Sequence, residues 1–307
     1  MFGRKIFSPL VFMARLILFF CPSSFCHGFF KIQQRRQIVE INFLQILSLN
    51  FLMGFGFEMI AQGQSLWHNK ACAVSLTYDD ALNVHLDNAV PILDSLNLKA
   101  TFYLSGYFPA FRERVAEWKT VASKGHELGN HTLFHPCTGK LPGREWVKPD
   151  DDLGNYTMQR LVDEIKMANT LLEALDGKTK RTFAYPCGDT KIGNESYVDK
   201  IKTEFVAARG VKSRMPKISE IDLFDVDAHV ISGQSGEELI ALAKQARQRN
   251  ALLVFLFHGV GGEHSLDVSL SAHRMLLHFL KQNEKDIWIA PFVEIAEYVQ
   301  RLHKGKD

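Results

Sequence analysis

The sequence predicts an α/β fold: a distorted (β/α) barrel of about seven strands forming a single domain over residues 66–307. Three observations predict it. Short β-rich runs alternate with amphipathic helices from Ala71 onward, with no internal repeat. Seven or eight such runs spread over roughly 235 residues suit a closed or nearly closed parallel sheet better than an open doubly wound one. Polar residues of chemical potential directly follow several of these runs, where barrels carry their sites.

Residues 73–78 read as the first strand, 86–96 as a helix and 100–104 as the second strand. Phe111, Val115, Trp118 and Ala122 repeat at helical spacing, and Gly125 ends that helix. Residues 127–130 form a short third strand. A loop of glycine, proline and charged residues then covers 138–155. Leu161, Ile165, Ala168, Leu172 and Leu175 make one helical stripe, with Asn155 as candidate cap and Gly177 as the stop. Further strands are expected at 182–185, 205–208, 228–231, 252–257 and 287–290.

The composition is that of an ordinary globular protein, with 46% hydrophobic and 23% charged residues in a chain of 307. A net charge of +2 offers no concentrated basic face and argues against nucleic acid as a partner. The basic run at 244–249 lies in a helical pattern with Leu239, Leu242 and Ala246 inward, so it reads as a solvated face. No protein partner can be inferred. Residues 1–65 differ from the rest. Two apolar runs, at 7–20 and 43–57, each follow basic residues, and Ala61, Gln62, Gly63 and Gln64 resemble a cleavage region. This segment is expected to be a leader, signal or anchor, and the protein is expected to be exported. Among the five cysteines, Cys21 and Cys26 fall in that leader and Cys72 reads as a small buried hydrophobe.

Three strand ends deliver reactive groups. Asp79 and Asp80 close the first strand, and adjacent carboxylates at a buried strand end need a cation or an exposed turn. His131 and His135 follow the third strand at a spacing that puts two imidazoles on one face of a helical turn, where they can chelate a metal. His258 emerges from the apolar run at 252–257 and precedes Gly259. One Asp and two His make three protein ligands and leave a coordination position open, the pattern of a catalytic rather than a structural zinc. The second Asp is then free to act as a base and His258 as an acid.

These motifs resemble those of the polysaccharide deacetylases of the NodB-homology type, carbohydrate esterase family 4, over roughly residues 70–300. Residues 77–80 are similar to the family's Thr-Phe-Asp-Asp, 131–136 to His-Ser/Thr-x-x-His-Pro, 183–188 to Phe-Ala-Tyr-Pro-x-Gly, and 256–259 to the final Leu-x-His motif. The resemblance implies a metal-dependent hydrolase that removes acetyl groups from an N-acetylated carbohydrate. It implies Asp79 as general base, Asp80, His131 and His135 as ligands of a divalent ion (zinc first, cobalt or nickel next), and His258 as general acid. Leu256 would line the acetyl pocket with Tyr185 nearby, and the Cys187 backbone N–H would serve as oxyanion donor. An O-acetyl esterase on the same site and an inactive carbohydrate-binding relative are the alternatives.

Two departures stand out. Ala184 takes the place of an Arg that orients the base in a common form of the third motif, and Arg181 is the candidate substitute. The family's Asp-x-x-Asp-Trp motif, whose Asp pairs with the acid His, has no clean match. Residues 222–227 fall in the right region without the Trp. Cys137 and Cys187 would both lie near the site. Two separately packed thiols are the preferred reading, and a disulfide, permitted in an exported protein, is the alternative. Trp146, in the 138–155 loop, could stack on a sugar ring or simply pack the loop.

Overall fold

The computed structural model describes residues 66–305. The expected leader lies outside the described residues. Among those described, no helix is long and apolar enough to cross a membrane.

All eight expected strands form, and all join one parallel sheet: β1 (Cys72–Asp79), β2 (Thr101–Leu104), β3 (Glu127–Asn130), β4 (Phe183–Ala184), β5 (Ala208–Arg209), β6 (His229–Val230), β7 (Leu252–Phe257) and β8 (Ile287–Ile289). Seven lie on one path, β5-β4-β3-β2-β1-β7-β6. The path closes on itself. Val226, just ahead of β6, donates its N–H to Ala208 O (3.0 Å) and accepts from Gly210 N–H (2.9 Å), joining the two ends. The eighth strand is the distortion. β8 pairs with residues Cys72 to Val74 of β1, while β2 pairs with Thr77 to Asp79.

The central strand β1 is buried along its whole length, as a parallel strand covered on both faces should be. Side chains alternate across a strand, and here the alternation sorts the chemistry. Val74, Leu76 and Tyr78 pack outward under the helices with Leu253, Phe255 and Phe257 of β7. Ser75, Thr77 and Asp79 take the other face of β1. The inner register of β7 holds Val254 and Leu256. The odd positions of β1 therefore end in Asp79, and the inner positions of β7 run through Leu256 to His258.

The outer layer holds α1 (Val90–Ser95), α2 (Val115–Ser123), α3 (Met158–Asp176), α4 (Gly236–Arg249), α5 (Leu270–Gln282) and α6 (Phe292–Lys304). Several boundaries differ from expectation for local reasons. The helix expected over 86–96 begins as a π-turn, His85–Ala89, because Pro91 has no N–H to give the preceding turn. The helix through Phe111 and Val115 is split at Arg114 (φ −121°), whose guanidinium reaches Asp87 and Glu117. The cap of α3 is Thr157 rather than Asn155: Thr157 Oγ1 accepts from Arg160 N–H at 3.1 Å, while Asn155 closes the preceding 3-10 turn. Gly177 ends α3 at φ 69°, as expected. In α4, Lys244, Arg247 and Arg249 are exposed while Leu239, Ala243 and Ala246 are buried, so the basic run is a solvated face.

Candidate metal centre and active site

The residues singled out from the sequence converge at the C-terminal mouth of the barrel. Asp79, Asp80, His131, His135, Tyr185, Cys187, Leu256 and His258 all line one cavity of about 630 Å³. Its floor is the expected triad. Asp80 Oδ1 faces His131 Nε2 at 3.5 Å and His135 Nε2 at 3.3 Å, and the ligand atoms all lie within 4.8 Å of one another. Asp80 Oδ1 is buried and has no hydrogen-bond partner among the described residues. A buried carboxylate oxygen left unpaired between two imidazole nitrogens is costly unless a cation neutralises it, so this donor set fits a divalent metal.

Each candidate ligand is held by its backbone and by neighbours. The chain turns at Asp80 with φ 83° and at Ala81 with φ 55°, a region costly for residues bearing a side chain, which throws Asp80 into the mouth. His131 Nδ1–H donates to Ala184 O at 2.8 Å, which leaves the Nε2 lone pair facing Asp80. The His131 to His135 segment is not the helical turn the spacing suggested. Thr132 (φ 65°) and His135 (φ 51°) are left-handed, and Pro136 follows. The bend is braced by three bonds: Thr132 N–H to Asn130 Oδ1 (2.8 Å), His135 N–H to Thr132 Oγ1 (2.9 Å) and Phe134 N–H to Glu164 Oε1 (2.9 Å). Asn130 in turn donates to Ile165 O and Asn169 Oδ1 on α3.

Electrostatics follow from this crowding. Burial acts to raise the Asp80 carboxyl, but the His135, His131 and His258 imidazoles outweigh it and hold the group below the carboxylate range. Burial pushes His135 down to about 4, which keeps its lone pair available. At His131 burial works in the same sense, yet Asp80 and Asp79 prevail and the ring is raised. His258 is lowered by burial.

Arg181, the residue expected to orient Asp79, does not reach it. That side chain is buried behind the sheet, where it donates to Leu128 O at 2.8 Å and pairs with Asp176 at 3.2 Å. The group that meets Asp79 is Arg209, at the end of β5. Its Nη2 lies 2.6 Å from Asp79 Oδ1 and also reaches Oδ2, while Nη1 donates to Gly210 O at 3.0 Å. Arg209 is fully buried and its guanidinium lies 5.0 Å from the Tyr103 ring centroid. The expected strand 205–208 stopped one residue short of it.

His258 lacks the carboxylate partner sought in residues 222–227. Asp225 pairs with Lys212, Asp227 with Arg214 at 2.9 Å, and Asp222 accepts from Phe224 N–H. His258 Nδ1 has no hydrogen-bond partner among the described residues. Its backbone is clamped instead. Leu82 N–H donates to His85 Nδ1 (3.2 Å), so His85 Nε2–H donates to His258 O at 2.7 Å.

Cys137 and Cys187 are joined as a disulfide, Cα to Cα 5.8 Å, rather than packed as separate thiols. The bond ties the ligand loop to the turn at Cys187, whose φ is 55°. Arg144 strengthens the same junction from the rim loop, donating to Cys187 O (2.9 Å) and pairing with Asp189. Cys72 is buried and free, as expected. The Tyr185 hydroxyl donates to Phe224 O at 2.8 Å, so its ring rather than its phenol faces the cavity. Trp146 is 54% exposed and lines the mouth, with its ring 6.4 Å from that of His135, so it does not pack the loop. Sequence reasoning also passed over His264, which lies 3.8 Å from Asp80 Oδ2.

A closed parallel barrel with carboxylates and imidazoles gathered at its C-terminal mouth has the architecture of barrel enzymes. Residues 68–204 match the family model described as polysaccharide deacetylase. The peptidoglycan-N-acetylglucosamine deacetylase of Bacillus cereus is 40% identical over 86 residues, covering 26% of this chain and 28% of that protein. The uncharacterized protein YlxY of Bacillus subtilis is 31% identical over 106 residues, 34% of this chain and 28% of that one. The matches thus span little more than a quarter of these relatives' length. The crystal structure of a probable polysaccharide deacetylase from Pseudomonas aeruginosa shares the fold, with TM-score 0.56 at 11% identity, covering 80% of this chain and 97% of that one. Over residues 68–204 the chain is thus similar to polysaccharide deacetylases.

Proposed function

We propose that the protein is an exported, metal-dependent hydrolase that removes acetyl groups from an N-acetylated carbohydrate. The observation that carries this reading is the unpaired, buried Asp80 Oδ1 between the Nε2 atoms of His131 and His135, with Asp79 beside it. Asp80, His131 and His135 would hold a divalent ion, zinc being the best fit to one carboxylate and two imidazoles, with cobalt or nickel next. Bound there, such an ion supplies Lewis-acid activation of water and of an acyl carbonyl.

The remaining chemistry belongs to the chain. Asp79, held by Arg209, takes the proton of the attacking water. The Cys187 backbone N–H donates to the developing oxyanion. His258 gives a proton to the leaving nitrogen, and acetate and a free amine result. Leu256, on the inner face of β7, meets the acetyl methyl, and the Tyr185 ring walls the same pocket. Exposed Trp146 at the mouth supports a sugar substrate, and the relative named for N-acetylglucosamine favours an N-acetylhexosamine polymer. The Cys137–Cys187 disulfide supports export, since such bonds persist in oxidising compartments.

The test is acetate release from N-acetylated chitooligosaccharides and peptidoglycan fragments, set against acetylated xylooligosaccharides. Turnover of the N-acetylated set, abolished in Asp79→Asn with metal retained, is the expected result. Preference for the xylan set would replace the reading with an O-acetyl esterase, and turnover by Asp79→Asn near the wild-type rate would refute the assignment of the base.

A further inference from the structure

The loop between β7 and α5 carries an imidazole that the reaction above does not use. The His264 ring stacks on that of His258, with centroids 4.6 Å apart and planes 13° from parallel. His264 Nε2 lies 3.8 Å from Asp80 Oδ2, and His258 Nε2 lies 4.0 Å from the same oxygen. The two oxygens of Asp80 are thus divided. Oδ1 faces the ligand histidines and Oδ2 faces the stacked pair.

The loop is built to hold this ring. Gly261, Gly262 and Glu263 pass through φ of 78°, 127° and 68°, a turn that glycine permits and that strains Glu263. Glu263 is anchored by Asn83 Nδ2 and Val84 N–H, both at 2.8 Å, and Gly262 N–H donates to Asp267 Oδ1 at 2.9 Å. Leu266 N–H donates to His264 Nδ1 at 3.0 Å. A ring nitrogen that accepts a backbone N–H carries no proton, so the imidazole proton sits on Nε2. That atom is the one turned toward Asp80. The side chain is 27% exposed and lines the cavity, within reach of a bound molecule.

We propose that His264 is a substrate-contacting residue that donates its Nε2–H to an acceptor oxygen of the bound carbohydrate, on the leaving-group side beside His258. The proposal rests on the deacetylase reading. Separations of 3.8 and 4.0 Å are too long for hydrogen bonds to Asp80 and suit a polar atom lodged against both imidazoles. The proton passed to the leaving nitrogen is that of His258.

His264→Asn and His264→Gln separate contact from support. The Asn oxygen can replace Nδ1 as acceptor for Leu266 N–H but puts no donor at Nε2, whereas the Gln amide reaches the Nε2 position. His264→Asn should lower kcat/KM on the N-acetylated oligosaccharide by about tenfold to a hundredfold, with metal content and Tm unchanged. His264→Gln should recover much of that loss. Calorimetric binding of the same oligosaccharide should weaken in His264→Asn, a readout that holds without turnover. Unchanged kcat/KM and binding in His264→Asn, equal impairment in both variants, or a loss that tracks metal content or Tm would overturn the proposal. A wild-type protein that binds the oligosaccharide through His264 yet releases no acetate would overturn the deacetylase reading alone.

Discussion

Arg209 and Asp79 meet across the barrel interior, one guanidinium nitrogen reaching both carboxylate oxygens while both side chains are buried. They come from opposite parts of the sheet, the ends of β5 and β1, 130 positions apart in sequence. The contact does two things. It offsets the burial of a carboxylate beside Asp80, and it fixes the plane in which Asp79 presents its oxygens to the site.

Substitutions at Arg209 should therefore divide into two kinds. Arg209→Met leaves Asp79 buried and unpaired, and breaking such a pair costs about 3 kcal/mol or more. Arg209→Lys keeps a charge but loses the guanidinium geometry, so stability should fall less while kcat/KM falls about tenfold to a hundredfold. Denaturant unfolding and acetate-release kinetics on both variants check this. Two variants with wild-type kinetics would mean that Arg209 is only a counter-ion.

The two adjacent carboxylates should separate cleanly by metal content. Asp80→Asn should lose the bound ion, because Oδ1 is the atom between His131 and His135. Asp79→Asn should keep it. Chelation of the wild-type protein should lower Tm, since an ion that binds the folded state at a hundred times its Kd contributes about 2.7 kcal/mol. Elemental analysis of the three samples, with thermal melts before and after zinc, cobalt or nickel addition, measures this. Equal metal content in the two variants would remove Asp80 from the ligand set.

What could be read in the sequence depended on whether the signal was local. The strands were legible because buried parallel strands are short apolar runs, and β1 and β7 sat within a residue of expectation. Asp80, His131 and His135 were legible because each motif is contiguous. Arg209 was not. A charged residue ending a two-residue strand looks like the start of a loop, and its partner is far away in sequence. Arg181 was nearer to the motif but points to the wrong side of the sheet, which a sequence does not display. His264 had one local signal, the Gly261-Gly262 pair that turns the chain just before it. The Cys137–Cys187 bond spans 50 residues, and only the closed barrel brings those two loops together.

The disulfide is expected to support both stability and shape. A cross-link over 50 residues removes chain entropy from the unfolded state worth about 4 kcal/mol in the loop-closure model. It also clamps the wall carrying His135 to the wall carrying Cys187. Cys137→Ala combined with Cys187→Ala should lower Tm and reduce kcat/KM, with Arg144 still bridging part of the junction. Thermal melts and kinetics of the double variant, beside wild type in a dithiol reductant, provide the comparison. A double variant matching oxidised wild type in both would show the bond to be dispensable.

Acid should weaken the fold through two histidines outside the candidate metal centre. His85 and His273 are fully buried among Tyr78, Phe102 and Phe257, and burial pushes them down to about 4 and about 3 from an ordinary 6.5. Between pH 6.5 and 4 the unfolded chain takes up protons on these rings and the folded chain does not. The unfolded state thus binds more protons, so stability falls as pH falls through that window, by up to about 1.4 kcal/mol per unit for each ring. The opposite sign would require folded values above 6.5: around His85 burial outweighs the upward pull of the His258 carbonyl, Asp80 and Asp79, and Tyr78 OH, which faces His273 Nε2 at 2.7 Å, is neutral. Gln at position 273 can still meet the Tyr78 hydroxyl but cannot titrate. Urea midpoints at pH 7 and pH 4.5 should therefore converge in His273→Gln relative to wild type, and an identical drop in both proteins would assign the acid sensitivity elsewhere.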